Sequence, residues 1–383
     1  MAKGLYVGND NDLSRKGKKA YFSPEGTSKK VKKIYLGDDN DLSQLIFASG
    51  ELSYYGTATE LSYSHWDGAA TTVGDYALFG GGRDNENGNV VEGYTKSLTK
   101  ITAPALSNTI ILLAATTVGD YALFGGGTDS LYSDGASKSV DAYDISLTKT
   151  KAPAFDMQRC YLAATTVGDY ALFGPGYGSD GNVYNNVDAY SASLTRSYKY
   201  SDYLNEYAAT TVGSYALFGG GVDSDDVRSN CVYSFDTALS RKFLPTSSRL
   251  SIARNQLAAT TVGDYALFAG GEAYSEEDTV EYACNTVDAY NSSLTRLIPT
   301  TLSIRRYQLA ATTVGEYALF GGGLNYGYLD TVDVYDKPLT RSVADSFSLS
   351  TARYGLKATT VGDYALFGGG SGSTRKTVDT FQI

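Results

Sequence analysis

The chain has 383 residues, 42% of them hydrophobic, with 42 glycines, 33 tyrosines, one tryptophan and one histidine. This composition is typical of a turn-rich all-β protein, and no apolar run approaches the roughly 18 residues of a transmembrane helix. The net charge of −10 is divided as +3 over residues 1–50 and −13 over the remainder. The acidic body argues against nucleic acid as its partner, and membrane insertion is not expected.

The first 50 residues carry a short repeat of their own. Leu5-Tyr6, Ala20-Tyr21 and Ile34-Tyr35 recur at offsets of 15 and 14, each followed by a polar turn and a serine. Units this short cannot form a stable core alone, so residues 1–50 are predicted to be an attachment and oligomerisation module. Its basic residues form either a solvated positive face or an electrostatic dock for an acidic partner. They are Arg15, Lys16, Lys18, Lys19, Lys29, Lys30, Lys32 and Lys33.

Residues 51–383 are organised by one string, AATTVGDYALFGGG, and its close variants. Seven copies begin at Ala69, Ala114, Ala163, Ala208, Ala258, Ala310 and Lys357. In each copy, β-branched and aromatic runs flank Gly-Asp, Gly-Ser or Gly-Glu, and glycine at the first central position is what a two-residue type II′ turn requires. Each copy is therefore predicted to be a β-hairpin.

Two further strands are predicted in each repeat. A third strand is seen at Val140–Tyr143, Val187–Tyr190, Val287–Tyr290 and Val332–Tyr335, and a fourth is placed at Ser-Leu-Thr-Lys/Arg, for example Ser146–Lys149 and Ser293–Arg296. Four strands in a repeat of 45 to 52 residues indicate one propeller blade, because stacked blades bury faces that a single blade cannot.

The hydrophobic strand ending in Gly-Gly, the variable loop and the Tyr-ended strand resemble kelch repeats over roughly residues 51–383. The resemblance implies a seven-bladed kelch-like β-propeller. One departure is that leucine (Leu147, Leu194, Leu294) stands where kelch repeats usually carry tryptophan; the only tryptophan is Trp66. Partner information from well-studied kelch proteins is therefore not transferred.

The ring is predicted to close through its two ends. The chain stops after a third strand, Thr377–Ile383, while Glu51–Ser62 offers strand sequence ahead of the first hairpin. Pairing these segments would supply the missing outer strand and remove an open sheet edge.

The sequence offers little for catalysis, and the chain is predicted not to be an enzyme. His65 is the only histidine, which excludes His-pair metal sites, and it occupies a position four residues before a hairpin where Arg159, Arg254, Arg306 and Arg353 stand before theirs. A structural role is therefore favoured. Cys160, Cys231 and Cys284 are odd in number, and no disulfide is predicted.

No cofactor is predicted, although carboxylate clusters offer oxygen ligands that calcium could accept. None has EF-hand spacing, and Asp is also an ordinary turn residue, so turn chemistry is the favoured interpretation. The clusters are Asp223, Asp225 and Asp226; Glu276, Glu277 and Asp278; and Asp10, Asp12, Asp38, Asp39 and Asp41.

The loops between the second and third strands differ in length and amino-acid sequence, whereas the hairpins are almost identical in sequence. Loops rich in Tyr, Ser, Gly, Asn and Asp have the composition of binding paratopes, although drift in surface loops would also produce variety. The predicted ligand-binding residues are Tyr132, Tyr177, Tyr184, Tyr274, Tyr326 and Tyr328.

The N-terminal module joined to near-identical propeller repeats resembles proteins encoded by phages and prophages of gut Firmicutes. This resemblance implies a virion-associated or host-binding role. The N-terminal MAKGLYVGNDND lacks the apolar stretch of a secretory signal, so the expected protein is made in the bacterial cytoplasm and becomes part of a virion. The leading hypothesis is that it binds a host surface glycan or protein and joins a larger assembly through residues 1–50. A structural decoration protein with the propeller as a spacer is the alternative, a glycan-processing enzyme is the third, and a cytoplasmic location also stays open.

Overall fold

The computed structural model describes residues 33–38, 41–48, 52–83, 88–129, 135–275, 277, 279–342, 347–372 and 375–383. Regular structure there is almost entirely β-strand, with a short 3₁₀ turn at Thr246–Ser248, so the all-β prediction is confirmed. Within these ranges no helix has the length and apolar character needed to span a membrane. The chain divides into two compact units, and the larger is Ser53–Gln382.

The smaller unit contains one hairpin in its described part. Strand β1 (Lys33–Asp38) pairs antiparallel with β2 (Asp41–Ala48), which confirms a strand, turn, strand unit at Ile34-Tyr35. The units predicted at Leu5-Tyr6 and Ala20-Tyr21, and the basic residues from Arg15 to Lys32, lie outside the described residues.

The larger unit is a ring of seven four-stranded antiparallel blades, as predicted, with the inner strand of each blade beside that of the next. The strand at the edge that completes blade 7 is β3 (Ser53–Ala58). The strands of the first three blades are, in blade 1, β4 Ala69–Val73, β5 Tyr76–Gly80, β6 Val91–Thr95 and β7 Lys100–Ala103; in blade 2, β8 Ala114–Val118, β9 Tyr121–Gly125, β10 Val140–Asp144 and β11 Lys149–Ala152; and in blade 3, β12 Ala164–Val167, β13 Tyr170–Phe173, β16 Asn186–Ser191 and β17 Arg196–Tyr200. Those of the next two are, in blade 4, β18 Ala208–Val212, β19 Tyr215–Gly219, β20 Val232–Asp236 and β21 Arg241–Phe243; and in blade 5, β22 Ala258–Val262, β23 Tyr265–Ala269, β26 Val287–Asn291 and β27 Arg296–Leu297. The last two have, in blade 6, β28 Ala310–Val314, β29 Tyr317–Gly321, β30 Val332–Asp336 and β31 Arg341–Ser342; and in blade 7, besides β3, β33 Lys357–Val361, β34 Tyr364–Gly368 and β36 Val378–Gln382. Three two-stranded ribbons rise from the loops, and they are β14 Gly176–Tyr177 with β15 Val183–Tyr184, β24 Glu272–Ser275 with β25 Val280–Ala283, and β32 Arg353–Tyr354 with β35 Ser371–Gly372.

The turns within a blade explain one error in the predicted strand boundaries. The fourth strand of blade 2 begins at Lys149, not at Ser146, because Asp144 Oδ1 accepts hydrogen bonds from the amides of Ser146 and Thr148, both at 2.9 Å, and folds this segment into a turn. Leu147 has φ 62° in that turn and packs against the core shared with blade 1. The leucine of the Ser-Leu-Thr string is therefore a turn residue, not a strand residue.

The core lies between neighbouring blades. A phenylalanine from each second strand meets an aromatic ring of the third strand, for example Phe124 and Tyr143 at 5.8 Å between centroids and 89° between planes. Phe124 also packs over Gly80 of the preceding blade, where a Cβ atom would lie 2.7 Å from its ring. Each blade can therefore be buried only against its neighbours, as repeat packing requires.

The ring closes as the sequence predicts. Strand β3 pairs antiparallel with β36, from Ser53 opposite Gln382 to Ala58 opposite Val378. Tyr54 donates a hydrogen bond from its hydroxyl to Asp379 at 2.7 Å, and Thr380 donates one to the carbonyl of Gly56 at 2.8 Å. The last blade thereby gains its outer strand from the other end of the ring.

Paired threonines on the inner strands join the blades around the central channel. Thr117 donates its only hydroxyl proton to the carbonyl of Thr72 in the preceding blade, so its oxygen must accept the hydrogen bond from Thr71 at 2.9 Å. The same arrangement recurs around the ring and closes from Thr359 to Thr72 at 2.8 Å. We call these threonines the collar; they line a channel of about 440 Å³.

Candidate functional site

One end of the channel carries the variable features of all seven blades. Because the first two strands of a blade are antiparallel, the segment entering the first strand and the loop leaving the second lie at the same end. The pairing of Trp66 with Arg83 and of Asn255 with Glu272 shows this directly. We call this end the loop face, and the end with the Gly-Asp turns the turn face.

Seven residues, one from each blade, form a closed ring of backbone hydrogen bonds at the loop face. Each lies two positions before a hairpin, and each donates its amide to the carbonyl of the equivalent residue in the preceding blade, at 2.7–3.1 Å for six bonds and 3.5 Å for the closing bond from Asp67 to Gly355. We call them the mouth ring: Asp67, Leu112, Tyr161, Glu206, Gln256, Gln308 and Gly355.

The backbone of the mouth ring is uniform, but its side chains differ. All seven residues have φ between 51° and 63°, a left-handed conformation that costs a non-glycine residue on the order of 1 kcal/mol. Glycine would avoid this cost, yet Gly355 is the only glycine among the seven residues of the mouth ring. The other six positions therefore keep their side chains against a local conformational preference, which suggests that the side chains have a use.

These side chains surround a pocket of about 190 Å³ on the axis of the ring. Its inner wall consists of the buried residues that follow the mouth ring, namely Leu113, Leu162, Tyr207, Leu257, Leu309 and Leu356. Lys357, the one departure from alanine at the start of a hairpin, also lines it. The pocket is thus apolar inside and polar at its opening, which is the usual character of a small-molecule site.

Charge in the pocket is unevenly placed. Burial raises the pKa of Asp67, although the positive charges of Lys357 and Arg83 oppose the shift. Burial lowers the pKa of Lys357, and here the charge of Asp67 opposes it. Within the ranges that the structure covers, neither side chain has a hydrogen-bond partner, so both are free to receive one from a ligand.

Glu206 is held in place at the opposite side of the ring by its neighbours. Its Oε2 accepts hydrogen bonds from the amide groups of Asn255 at 2.7 Å and Gln256 at 3.1 Å. Burial and then the negative charge of Glu206 raise the pKa of Tyr161 to about 12, so the phenol stays protonated and can donate. Carboxylate, amide and phenol groups therefore converge on one opening.

The predicted structural role of His65 is confirmed. Its Nδ1 lies 2.7 Å from the carbonyl of Gly81 and its Nε2 lies 3.1 Å from Glu92, so both ring nitrogens are held by partners in the core. Equivalent, fully buried ion pairs occur in four other blades: Arg159 with Asp188 at 2.5 Å, Arg254 with Asp288 at 2.9 Å, Arg306 with Asp333 at 2.7 Å and Arg353 with Asp379 at 2.6 Å.

The cysteines and the acidic clusters add no reactive centre to the described residues. All three cysteines are free, as predicted, and burial raises the pKa of the Cys160 thiol to about 12. No group of three potential ligands among the described residues could hold a metal ion. Asp223 accepts backbone hydrogen bonds from Asp225 at 2.9 Å and Val227 at 3.0 Å, as in a turn, while Glu276 and Asp278 lie outside those residues with Asp10, Asp12 and Asp39.

The structure places five of the predicted ligand-binding tyrosines on the loops of three blades: Tyr177 and Tyr184 in blade 3, Tyr274 in blade 5, and Tyr326 and Tyr328 in blade 6. Tyr274, Tyr326 and Tyr328 are exposed, and Tyr177 and Tyr184 are half-buried in the ribbon of blade 3, where the Tyr184 hydroxyl donates to Asp180 at 2.7 Å. Among the tyrosines that the structure describes, no ring contact joins two of these five; Tyr132 lies outside the described residues.

Sequence reasoning overlooked the mouth ring. The sequence does contain an indication of it, because the position two residues before each hairpin varies while the hairpin sequences themselves are almost identical. In chain order this position is Asp, Leu, Tyr, Glu, Gln, Gln and Gly.

Comparison with known proteins agrees with the architecture. No family model matches the chain, and no curated protein matches it. A solved structure described as "Structure of YjhT" is similar, with a TM-score of 0.60 and 13% identity over 75% of this chain and 99% of that one. The chain is a seven-bladed β-propeller. At this identity the similarity shows the fold alone.

Proposed function

We propose that the chain is a non-enzymatic recognition module whose binding site is the mouth ring and the surrounding loop face. The observation that carries the proposal is the uniform left-handed backbone of seven positions that carries six side chains of five different types around a pocket. Elsewhere in the blades a left-handed non-glycine residue such as Leu147 packs against the core, whereas the mouth-ring side chains line a pocket.

The positions of the reactive side chains support a function without catalysis. His65 is committed to Glu92 and Gly81 in the core, and the thiols of Cys160 and Cys284 are buried with raised pKa values. The exposed loops add Tyr274, Tyr326 and Tyr328, which suit recognition by contact.

The proposal extends to a kelch-like, phage-borne protein that binds a host surface glycan or protein. Glycine pairs after the second strand support the kelch-like part: Gly82 has φ 96°, and a Cβ there would lie 2.5 Å from the backbone of His65. The virion location and attachment through residues 1–50 rest on the sequence resemblance and the basic N-terminal composition. Removing residues 1–50 should lower apparent affinity through lost avidity while the intrinsic affinity stays unchanged.

A glycan-processing enzyme is the second candidate, and one observation favours it. Asp67 and Lys357 line the same pocket with pKa values displaced toward neutrality, and such groups are common in active sites. Incubating the purified chain with any glycan that it binds, followed by mass spectrometry and NMR of the sugar, separates the two functions. Recognition predicts an unchanged glycan; a cleaved or isomerised product supports the enzyme.

The test of the binding site uses substitutions copied from other blades. Glu206→Gln introduces the residue that blade 5 has at the equivalent position (Gln256), and Lys357→Ala introduces the alanine with which the other six hairpins begin. We expect the double variant to melt like the parent but to bind a panel of Firmicutes cells at least about tenfold more weakly, because charged hydrogen bonds each contribute about 1.5–3 kcal/mol.

The matched control lies at the turn face. Asp120→Ser with Asp264→Ser copies Ser214 of blade 4 and removes two exposed charges. It should bind like the parent. Unchanged binding by the mouth variant would instead favour the spacer interpretation.

A further inference from the structure

An aromatic strip adjoins one sector of the mouth ring. Trp66 immediately precedes Asp67, and Tyr354 immediately precedes Gly355. The Trp66 and Tyr354 rings meet edge to face, with centroids 6.1 Å apart, and Tyr354 contacts Tyr328 at 5.1 Å and 34°. We call Trp66, Tyr354 and Tyr328 the aromatic strip; it begins at Trp66, whose indole packs against Gly355 of the mouth ring, and ends at the half-exposed ring of Tyr328.

Glycine in the mouth ring makes this arrangement possible. A Cβ atom at Gly355 would lie 2.5 Å from Cδ1 and 2.6 Å from Nε1 of the Trp66 indole. Any side chain there would displace the indole from the edge of the pocket. The single glycine of the mouth ring and the single tryptophan of the chain are thus matched, and they join the strip to the pocket.

The pocket itself fits a small, neutral, hydroxyl-rich group. Its volume of about 190 Å³ is below the roughly 300–1,000 Å³ of drug-sized sites, which suits a group of the size of one sugar ring. Two carboxylates, Asp67 and Glu206, and one ammonium, Lys357, line the pocket, and the positive charge of Arg83 also acts on Asp67. The charges are nearly balanced, which favours a neutral ligand. Carboxylates accept from hydroxyls, and the amides of Gln256 and Gln308 both donate and accept.

We propose that the ligand is a neutral oligosaccharide whose terminal residue occupies the pocket and whose following residues cross the aromatic strip. This inference rests on the proposed function, and it adds the chemical class of the ligand and the orientation in which the ligand binds. The rings of Tyr354 and Tyr328, tilted by 34°, offer apolar surface to the C–H faces of successive sugars, while the pocket binds the hydroxyls of the terminal one. Arg83 lies over the Trp66 ring at 5.4 Å, so Trp66 supports Tyr354 from the side and does not contact the sugar.

The experiment probes the full-length chain with an array of neutral and acidic glycans, followed by calorimetry with the strongest neutral oligosaccharide and with its terminal monosaccharide. Tyr328→Ala should weaken the oligosaccharide about three- to tenfold and leave the monosaccharide unchanged, since one aromatic contact is lost. Lys357→Ala should weaken both. Tyr198→Ala is the matched control, because Tyr198 is similarly exposed, at 47% against 50%, and contacts a second tyrosine, Tyr200, but lies on the outer strand β17 of blade 3.

Binding confined to acidic glycans, binding to no glycan, or equal losses from Tyr198→Ala and Tyr328→Ala would each overturn the inference. The same experiments distinguish a failure of this inference from a failure of the proposed function. If Glu206→Gln with Lys357→Ala weakens cell binding while no neutral glycan binds, the recognition site stands and the ligand class is wrong. If the parent binds no cells, both fail.

Discussion

Removing one partner of a buried ion pair should destabilise the propeller far more than removing both charges. Arg306 and Asp333 have fully buried side chains and lie 2.7 Å apart between Nη2 and Oδ2. Arg306→Met leaves the carboxylate without its partner, and breaking a buried pair in this way costs about 3–5 kcal/mol of the free energy of unfolding. The carboxylate also accepts hydrogen bonds from the amide of Ser303 at 3.1 Å and its hydroxyl at 3.0 Å.

Adding Asp333→Asn removes the charge but keeps an acceptor for Ser303. We therefore expect Arg306→Met with Asp333→Asn to lose only about 1–2 kcal/mol, as for weakened neutral hydrogen bonds. Urea denaturation followed by circular dichroism measures both variants. The matched control is Arg341→Met, which removes a more exposed guanidinium 3.8 Å from the same carboxylate and should cost under about 1 kcal/mol.

The reasoning is refuted if Arg306→Met costs less than about 1 kcal/mol, or if the double variant is no more stable than the single one. Either result would mean that the carboxylate is not held by its charge partner.

Three further outcomes follow from named contacts. Burial alone would raise the pKa of Glu92, but His65 and Lys100 outweigh it and lower the pKa to about 2 from 4.5, so its stabilisation is present above pH 4.5 and lost as the pH falls toward 2. Glu92→Gln should therefore flatten the acid limb of the melting temperature, and an unchanged limb contradicts this. Deleting Ser53–Ala58 exposes the edge of β36 and should lower the melting temperature and increase light scattering; a melt like that of the parent argues against ring closure. Thr117→Val breaks two collar hydrogen bonds and should cost about 1–2 kcal/mol in urea denaturation, with Thr117→Ser as the control that keeps the hydroxyl; equal stability of the two variants counts against the collar.

Much of the fold could be predicted from sequence because its determinants are local and repeated. The string from Ala69 to Gly82 encodes two strands, a glycine turn and a close-packing glycine pair, and seven copies leave little choice of architecture. The closure by β3 followed from counting strands. The start of the fourth strand was misplaced because Leu147, an ordinary strand residue by composition, adopts a left-handed turn conformation.

The candidate site could not be predicted in the same way. Asp67, Glu206 and Lys357 are separated by more than a hundred residues from one another, and only the closed ring brings them to one opening. The exposed tyrosines drew attention because loops of this composition are distinctive, yet of the five that the structure describes, Tyr328 alone contacts the ring of Tyr354, next to the mouth ring. Tyr354 and Trp66 gave no signal, because their contact depends on the glycine at position 355.

The most direct test of the mouth ring as the recognition site is to block each face of one blade. In a Cys231→Ser background, which removes the half-buried thiol, Gln256→Cys places a thiol in the mouth ring and Asp264→Cys places one on the turn face of the same blade. Each is coupled to a maleimide polyethylene glycol and assayed for binding to the Firmicutes cell panel. Binding should be abolished by the polymer at position 256 and kept with the polymer at position 264; the reverse pattern would contradict recognition at the mouth ring.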